Sequence, residues 1–341
     1  MHPRTREADS PPAPPAPSLV RRAARRLKRD LKRLLGLEPP PVPQPRNKHL
    51  WSIGLYAGSS PLTLGPDPRF ANPVLTRDQV TDIPCAFVAD PFLVRAGATW
   101  YLFFEAFNRR VWRGEIAVAT SADLATWQYD RVVLAEPFHL SYPLVFEWQG
   151  AHYMIPETHQ TRTIRLYKAE AFPAKWSLVH TIMSGDRFAD TSLFRHADRW
   201  WLFTETSPGM QHDTLRLFSA DDLMGSWTEH PASPIVRGDA HAARPAGSVV
   251  RTEHGLVRFA QDCAPAYGVR VNAFEITTLS PTEYAERPAP ANPGLGPSGT
   301  GWNESGMHHV DAHEESPGRW IAAVDGWYAA TLAHVLGNAP R

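Results

Sequence analysis

From Trp51 onward, short apolar runs alternate with Gly, Asp, Ser and Pro, and the alternation itself recurs. The stretch ADPFLVRAGATWYLFFEA, Ala89–Ala106, places Asp90 ten residues before Trp100 and fifteen before Glu105. The same spacing returns for Tyr142, His152 and Glu157, and again for Asp190, Trp200 and Glu205. Each copy is followed by a third apolar segment, which ends on Trp127, Trp176 or Trp227. Two looser copies begin at Arg244 and His308, the last with a longer turn. Segments this short, rich in Val, Phe, Tyr, Trp and Leu and bounded by turn residues, read as antiparallel strands. A period of about 50 residues built from four strands is that of a β-propeller blade. The pattern predicts an all-β, five-bladed β-propeller over residues 51–330. WSIGLY, Trp51–Tyr56, is expected to complete the last blade as a strand from the N-terminal side.

Antiparallel pairing within a blade sets Asp90 beside Glu105, Tyr142 beside Glu157 and Asp190 beside Glu205. With the first strand innermost, Asp90, Tyr142, Asp190, Arg244 and His308 or His309 converge on one axial pit. Repeats that serve only structure tend to carry one residue at such a position. Here the residue changes from copy to copy, which marks a candidate site. The structural alternatives stand beside it. Asp90 and Asp190 also suit strand-start caps, and Glu105, Glu157 and Glu205 share a register that suits strand pairing and blade contacts. Trp100, Trp200 and Trp201 read as blade core. Trp302, in a Gly-rich loop, is the better sugar-stacking candidate. Strand alternation sends His309, Asp311 and His313 to one face, a metal-like grouping that loop residues also produce, and no metal is assigned.

Composition adds a second object. Apolar content of 43% and charged content of 21% are those of a soluble globular protein. No apolar run approaches about 18 residues, no secretory leader is visible, and two cysteines make neither a disulfide framework nor a metal motif. The expected location is cytoplasmic. The net charge of zero hides an asymmetry: residues 1–50 hold 12 Lys+Arg and 4 Asp+Glu (+8), leaving 23 and 31 (−8) for the remainder. PPAPPAP and PPPVPQP flank SLVRRAARRLKRDLKRLLGLE, in which Leu19, Ala23, Leu27, Leu31, Leu34 and Leu35 recur at helical spacing after a possible Ser18 cap. Eight Arg/Lys lie between Arg21 and Arg33, against Asp30 alone. This Pro-rich, basic amphipathic tail, residues 1–50, reads as a solvated leader or as a helix of residues 19–35 lying on an anionic membrane surface, peripheral at the inner face. Nucleic acid is not assigned as a partner, because no reader motif accompanies the charge. Residues 331–341 form a C-terminal tail.

NPVLTRDQVTDIPCAFVADPF, EPFHLSYPLVFEWQG, RPAGSVV with AQDC, and SGMHHVDAH together carry a resemblance. FVADPF at the head of a five-blade repeat resembles the arabinanase, invertase and levansucrase fold, family 43 glycoside hydrolases in particular. Residues 51–327 also resemble the N-terminal propeller of plant glucosamine inositolphosphorylceramide transferases and its bacterial stand-alone relatives. The hydrolase resemblance implies a general-base role for Asp90 and a tuning role for Asp190, with His308 or His309 near an axial water or Ca²⁺. Where those enzymes place a general-acid Glu, this chain has Arg244, which stays charged at neutral pH. Inverting hydrolysis needs two carboxyl groups about 6.5–9.5 Å apart, so Glu157 or Glu205 would have to supply the acid. Arg244 would suit a carboxylate or phosphate on a sugar. The expected function is a carbohydrate-active, hydrolase-like propeller with an incomplete acid/base set, acting on or binding a glycan or glycoconjugate in cell-envelope glycan or glycolipid metabolism. The alternative is a non-catalytic accessory module working with a glycosyltransferase. A protein-interaction scaffold ranks below both, because the pit rather than the rim carries the unusual residues.

Overall fold

A computed structural model describes residues 49–292 and 294–330. Nearly all of the Pro-rich basic leader and the C-terminal tail 331–341 lie outside the described residues. Five antiparallel sheets follow one another as blades. Blade 1 comprises Cys85–Ala96, Thr99–Asn108, Arg113–Ser121 and Gln128–Leu134. Blade 2 comprises Ser141–Trp148, Ala151–Glu157, Thr163–Ala171 and Lys175–Ser184. Blade 3 runs through Ala189–His196, Arg199–Glu205 and Thr214–Ala220, with two short outer strands. Blade 4 has a broken inner strand, Arg244–Pro245 and Val250–Thr252, then Gly255–Asp262, Arg270–Leu279 and Tyr284–Pro288. Blade 5 is closed by the N-terminal side of the chain, as the sequence predicts. His49–Gly58 pairs with Arg319–Ala329 in unbroken register, His49 opposite Ala329 and Gly58 opposite Trp320. Among the described residues, no helix is long and apolar enough to cross a membrane.

The recurring tryptophans have a common duty. The indole N–H of Trp127, Trp176 and Trp227 donates to the backbone carbonyl of Leu124, Pro173 and Leu223, pinning the turn before each outer strand. Trp100, Trp200 and Trp201 are buried in the blade cores. Buried polar ties join the blades. Asp311 accepts from the Leu93 amide (2.7 Å), from Ser248 Oγ (2.7 Å) and from His313 Nε2 (2.7 Å), linking blades 1, 4 and 5. Asp311 and His313 therefore hold the ring together. Tyr142 and Ser192 reach the carbonyl of Gly247 (2.9 and 2.6 Å) in the same way. Gly247 has φ +130°, and a Cβ there would meet the Val310 carbonyl oxygen at 1.8 Å, so this contact requires glycine.

The heads of the first three blades share one backbone device. Asp90, Tyr142 and Asp190 have φ of 53°, 47° and 48°. The register of each inner strand slips at that point, between Ala89 and Phe92, Ser141 and Leu144, and Ala189 and Thr191. Such bulges re-aim a side chain and take a backbone N–H out of the ladder. Asp tolerates the left-handed region better than most non-glycine residues do, whereas Tyr there is unusual.

Candidate functional site

A buried backbone N–H released from a ladder must find another acceptor, and in the bulges each acceptor is an acid of a neighbouring blade. The Asp90 amide donates to Asp325 Oδ2 (3.0 Å), the Tyr142 amide to Asp90 Oδ2 (3.2 Å) and the Asp190 amide to Glu157 Oε2 (3.1 Å). Asp325 and Glu157 lie near the ends of the second strands of blades 5 and 2, and each serves the head of the next blade. Glu105 is the equivalent acid of blade 1. It has no such duty, because Asp90 has taken the Tyr142 amide.

Asp90, Glu105 and Glu157 of these groups line a cavity of about 550 Å³. Its wall includes the aromatic rings of Trp51, Trp112, Phe107 and Tyr267, with Asp90, Glu105, Glu157, Arg244 and His308 between them. That volume and mixed lining are those of a small-ligand site.

Two residues that line this cavity, Asp90 and Glu105, each have one carboxyl oxygen, Oδ1 and Oε1, that is buried without a hydrogen-bond partner. Burial pushes the Asp90 carboxyl up to about 6 against the pull of the His308 charge. Burial, with the Asp90 charge adding to it, pushes Glu105 well above the carboxylate range. His139 Nε2 lies 3.6 Å from Glu105 Oε1. Its Nδ1 accepts from the Gly114 amide (2.8 Å), so the ring hydrogen of the neutral imidazole is on Nε2. Burial lowers His139 to about 4. A Cβ at Gly114 would come within 2.5 Å of Glu105 Oε1 and 2.2 Å of the Leu140 carbonyl oxygen, so glycine makes the room.

His308 stacks on Trp51 at 4.0 Å and donates from Nδ1 to Asp325 (2.8 Å), while its Nε2 lies 3.6 Å from Asp90 Oδ1. Burial disfavours its charge, but the Asp325 carboxylate outweighs this and raises its pKa. Glu157 is the opposite of Glu105. Burial works against its charge, yet His159 on Oε1 and Arg244 near Oε2 hold it well below the usual range. Three bonds tie Arg244 to the protein. Nε donates to Asp190 Oδ2 (2.6 Å), one terminal nitrogen to Glu157 Oε2 (3.3 Å) and the other to His212 Nδ1 (3.0 Å). Burial and the Arg244 charge press His212 down to about 3, keeping it a neutral acceptor.

Of the expected site residues, Asp90, Glu157, Arg244 and His308 line the cavity. Asp190 is buried behind Arg244 and also accepts from Gln261 Nε2 (2.6 Å). Five expectations need correction. Tyr142 is wholly buried and does not face a ligand, because its bulge sends the ring into the axial core against Phe92 and His309. His309 lies in that core with neither ring nitrogen in a hydrogen bond and Nδ1 3.9 Å from Asp90 Oδ1, and burial lowers it to about 4. Glu205 cannot supply the missing acid. It is fully buried and bonded to Arg187 (3.0 Å) and the Ser207 amide. Trp302 is no sugar platform, since its ring fills the space left by Gly54 and Gly326 at the ring closure. Arg244 is a counter-ion for two acids rather than a free anion grip.

Asp325, Glu105, His139, His159 and His212 were not read as site residues. Asp325 had a signal: it directly follows Val324, the partner of Val310, and so occupies in blade 5 the register of Glu105 and Glu157. Asp90, His308 and Asp325 bring ligand atoms within 4.8 Å of one another. Calcium takes six to eight oxygens. Here both Asp325 oxygens and His308 Nδ1 already bond one another and the Asp90 and His308 amides, which leaves Asp90 Oδ1 and His308 Nε2, one oxygen and one nitrogen. The donor set does not fit calcium, and hydrogen bonding accounts for the cluster.

Against known proteins, residues 43–327 match the family described as glucosamine inositolphosphorylceramide transferase 1, N-terminal. The transferase of that name from Oryza sativa subsp. japonica is 37% identical over 304 residues, covering 83% of this chain and 40% of the relative. That of Arabidopsis thaliana is 34% identical over 300 residues, covering 82% and 39%. The chain thus spans about two fifths of the length of these relatives. Two solved structures share the fold at low identity. The exo-beta-1,3-galactanase 1,3Gal43A from Clostridium thermocellum has a TM-score of 0.51 at 14% identity, over 62% of this chain and 51% of that one. A candidate glycosidase from Bacteroides thetaiotaomicron has a TM-score of 0.55 at 11% identity, over 76% and 95%. With its five-bladed, glycoside-hydrolase-like propeller, the chain belongs to the glucosamine inositolphosphorylceramide transferase 1 N-terminal family.

Proposed function

We propose that the axial pit receives a sugar unit of a glycan or glycoconjugate and performs hydrolase-like acid–base chemistry on its linkage, with Asp90 as base and Glu105 as acid. The observation that carries this reading is a pair of acids lining one aromatic-walled cavity, each with a buried, unpartnered carboxyl oxygen, one raised well above the carboxylate range and one to about 6. Carboxyl groups whose surroundings push their protonation apart supply both halves of such a reaction. Asp90 Oδ1 takes a proton from water, and the water oxygen bonds the anomeric carbon. The bond from that carbon to the leaving oxygen breaks, and that oxygen takes the Glu105 proton. Arg244, occupied by its acids, favours a neutral hydroxylated ring over the anionic sugar its sequence position implies. The relatives' name and the fold of the galactanase support a carbohydrate substrate in envelope glycan or glycolipid metabolism.

The test is calorimetric binding of a panel of neutral and anionic oligosaccharides, each mixture assayed for released sugar, for wild type, Asp90→Asn and Glu105→Gln. Binding by all three with cleavage by wild type alone is expected. Removing the acid should slow cleavage about 10²–10⁴-fold. Cleavage should rise with pH through about 6 as Asp90 ionises and fall again as Glu105 loses its proton. Turnover undiminished in Glu105→Gln would remove Glu105 from the chemistry. A second reading is supported by the relatives' name: a non-catalytic glycan-binding module working with a glycosyltransferase. Binding by wild type without turnover selects it.

A further inference from the structure

We infer that the mouth of the pit is an interface for an anionic lipid surface, so that the cavity opens toward the bilayer. This is separate from the chemistry proposed for the pit. His49, the first described residue after the leader, itself lines the cavity. It pairs with Ala329, so both ends of the propeller's chain lie at the same end of the blades as the mouth. The 48 residues that precede His49 include all 12 Lys+Arg counted in residues 1–50, with 4 Asp+Glu, while the rest of the protein is acidic by 8 charges. An anionic surface attracts the first part and repels the second, so the charges select which end approaches.

The rim carries a matching surface. The turn joining Thr99–Asn108 to Arg113–Ser121 reads Arg109-Arg110-Val111-Trp112. Val111 is 39% exposed, Arg110 is exposed, and Trp112 lines the cavity. Across the mouth, Met210 lines the same cavity and is 58% exposed, more than any other large hydrophobic residue described. Apolar tips beside arginines suit the boundary between headgroups and acyl chains.

The experiment uses the full chain with phosphatidylcholine vesicles, with and without phosphatidylserine. Flotation measures binding, and an environment-sensitive fluorophore is placed at Val111→Cys or Met210→Cys, with Leu178→Cys on an outer strand as reference, all in a Cys263→Ser background. The expected result is binding only with phosphatidylserine, with the emission of the two rim labels rising and the Leu178 label silent. Removing Arg110 as Arg110→Ala should weaken binding about fivefold. Equal affinity for both vesicle types, no binding to either, or bound protein whose rim labels report water overturns the proposal. Sugar binding measured without vesicles is unaffected by any of these outcomes, so the two readings fail independently.

Discussion

Replacing Arg244 with Leu tests the electrostatic frame of the pit. The guanidinium is 9% exposed and faces Asp190 at 2.6 Å and Glu157 at 3.3 Å. Without it, Glu157 keeps His159 and the Asp190 amide, and Asp190 keeps Gln261. Removing one partner of a buried ion pair costs about 3–5 kcal/mol, and Gln261 and His159 soften this toward the lower end. In a domain of this size the loss amounts to roughly 10 °C in melting temperature. The cost depends on pH in a defined direction. In the wild type, Glu157 is depressed, so its contribution is present above its unfolded pKa and lost as pH falls through the folded value. In Arg244→Leu, Glu157 loses that pull and Asp190, which burial already raises in the wild type, rises further, so the variant is best at low pH and loses stability as pH rises. The gap between the proteins should therefore be widest near pH 8 and shrink toward pH 5. Urea unfolding followed by tryptophan fluorescence at both pH values measures it, with Arg244→Lys as the charge-preserving reference. Equal midpoints for wild type and Arg244→Leu at pH 8 would show that the guanidinium compensates nothing, and would return it to the role of anion anchor.

Three further outcomes follow from the same geometry. Glu105→Gln preserves the shape of a neutral acid, so it should match wild type near pH 5 and become the more stable protein as pH rises. The buried wild-type carboxyl must then be kept protonated against its tendency to ionise; parallel melting curves over pH 5–8 would contradict this. Asp325→Asn removes the carboxylate that keeps His308 charged, so the imidazole titration followed by NMR should move down from its raised position; an unchanged titration would mean that another group holds it. Gly247→Ala places a methyl group 1.8 Å from the Val310 carbonyl oxygen, and a loss of about 3 kcal/mol or more, read from thermal unfolding, is expected. A wild-type melting temperature would rule out the close approach of blades 4 and 5.

The blades were legible because their signal is local and periodic: apolar alternation, turns, and one tryptophan per copy that pins its own turn. The convergence of the heads was legible for the same reason. What each head does was not, because it depends on neighbours about fifty residues away. Tyr142 and Asp90 occupy one register and one backbone conformation, yet one ring plugs the axis and one carboxyl faces the cavity. Trp302 reads as an exposed loop residue, and only the absence of side chains at Gly54 and Gly326, far apart in the chain, makes a slot for it. Asp325 escaped notice because the longer turn of blade 5 puts seventeen residues between it and His308 instead of fifteen.

The acids that follow each head by one hairpin show why repetition alone could not separate building parts from tools. Glu105, Glu157 and Glu205 are identical in sequence position, and a shared structural role is the economical reading. The structure assigns them three fates. Glu157 secures the Asp190 amide and the Arg244 charge. Glu205 binds Arg187 and the Ser207 amide out of reach of the cavity. Glu105 would serve Tyr142 by the same rule, but Asp90 already accepts that amide. One substitution of acceptor at a blade boundary therefore leaves a buried carboxyl with no backbone to hold, next to an acid that still has one oxygen free. A buried polar atom without a partner is costly to fold around, and a ligand that supplies the partner recovers that cost only in the pit. Relieved of its structural duty, Glu105 is the acid of the ring most open to chemical use.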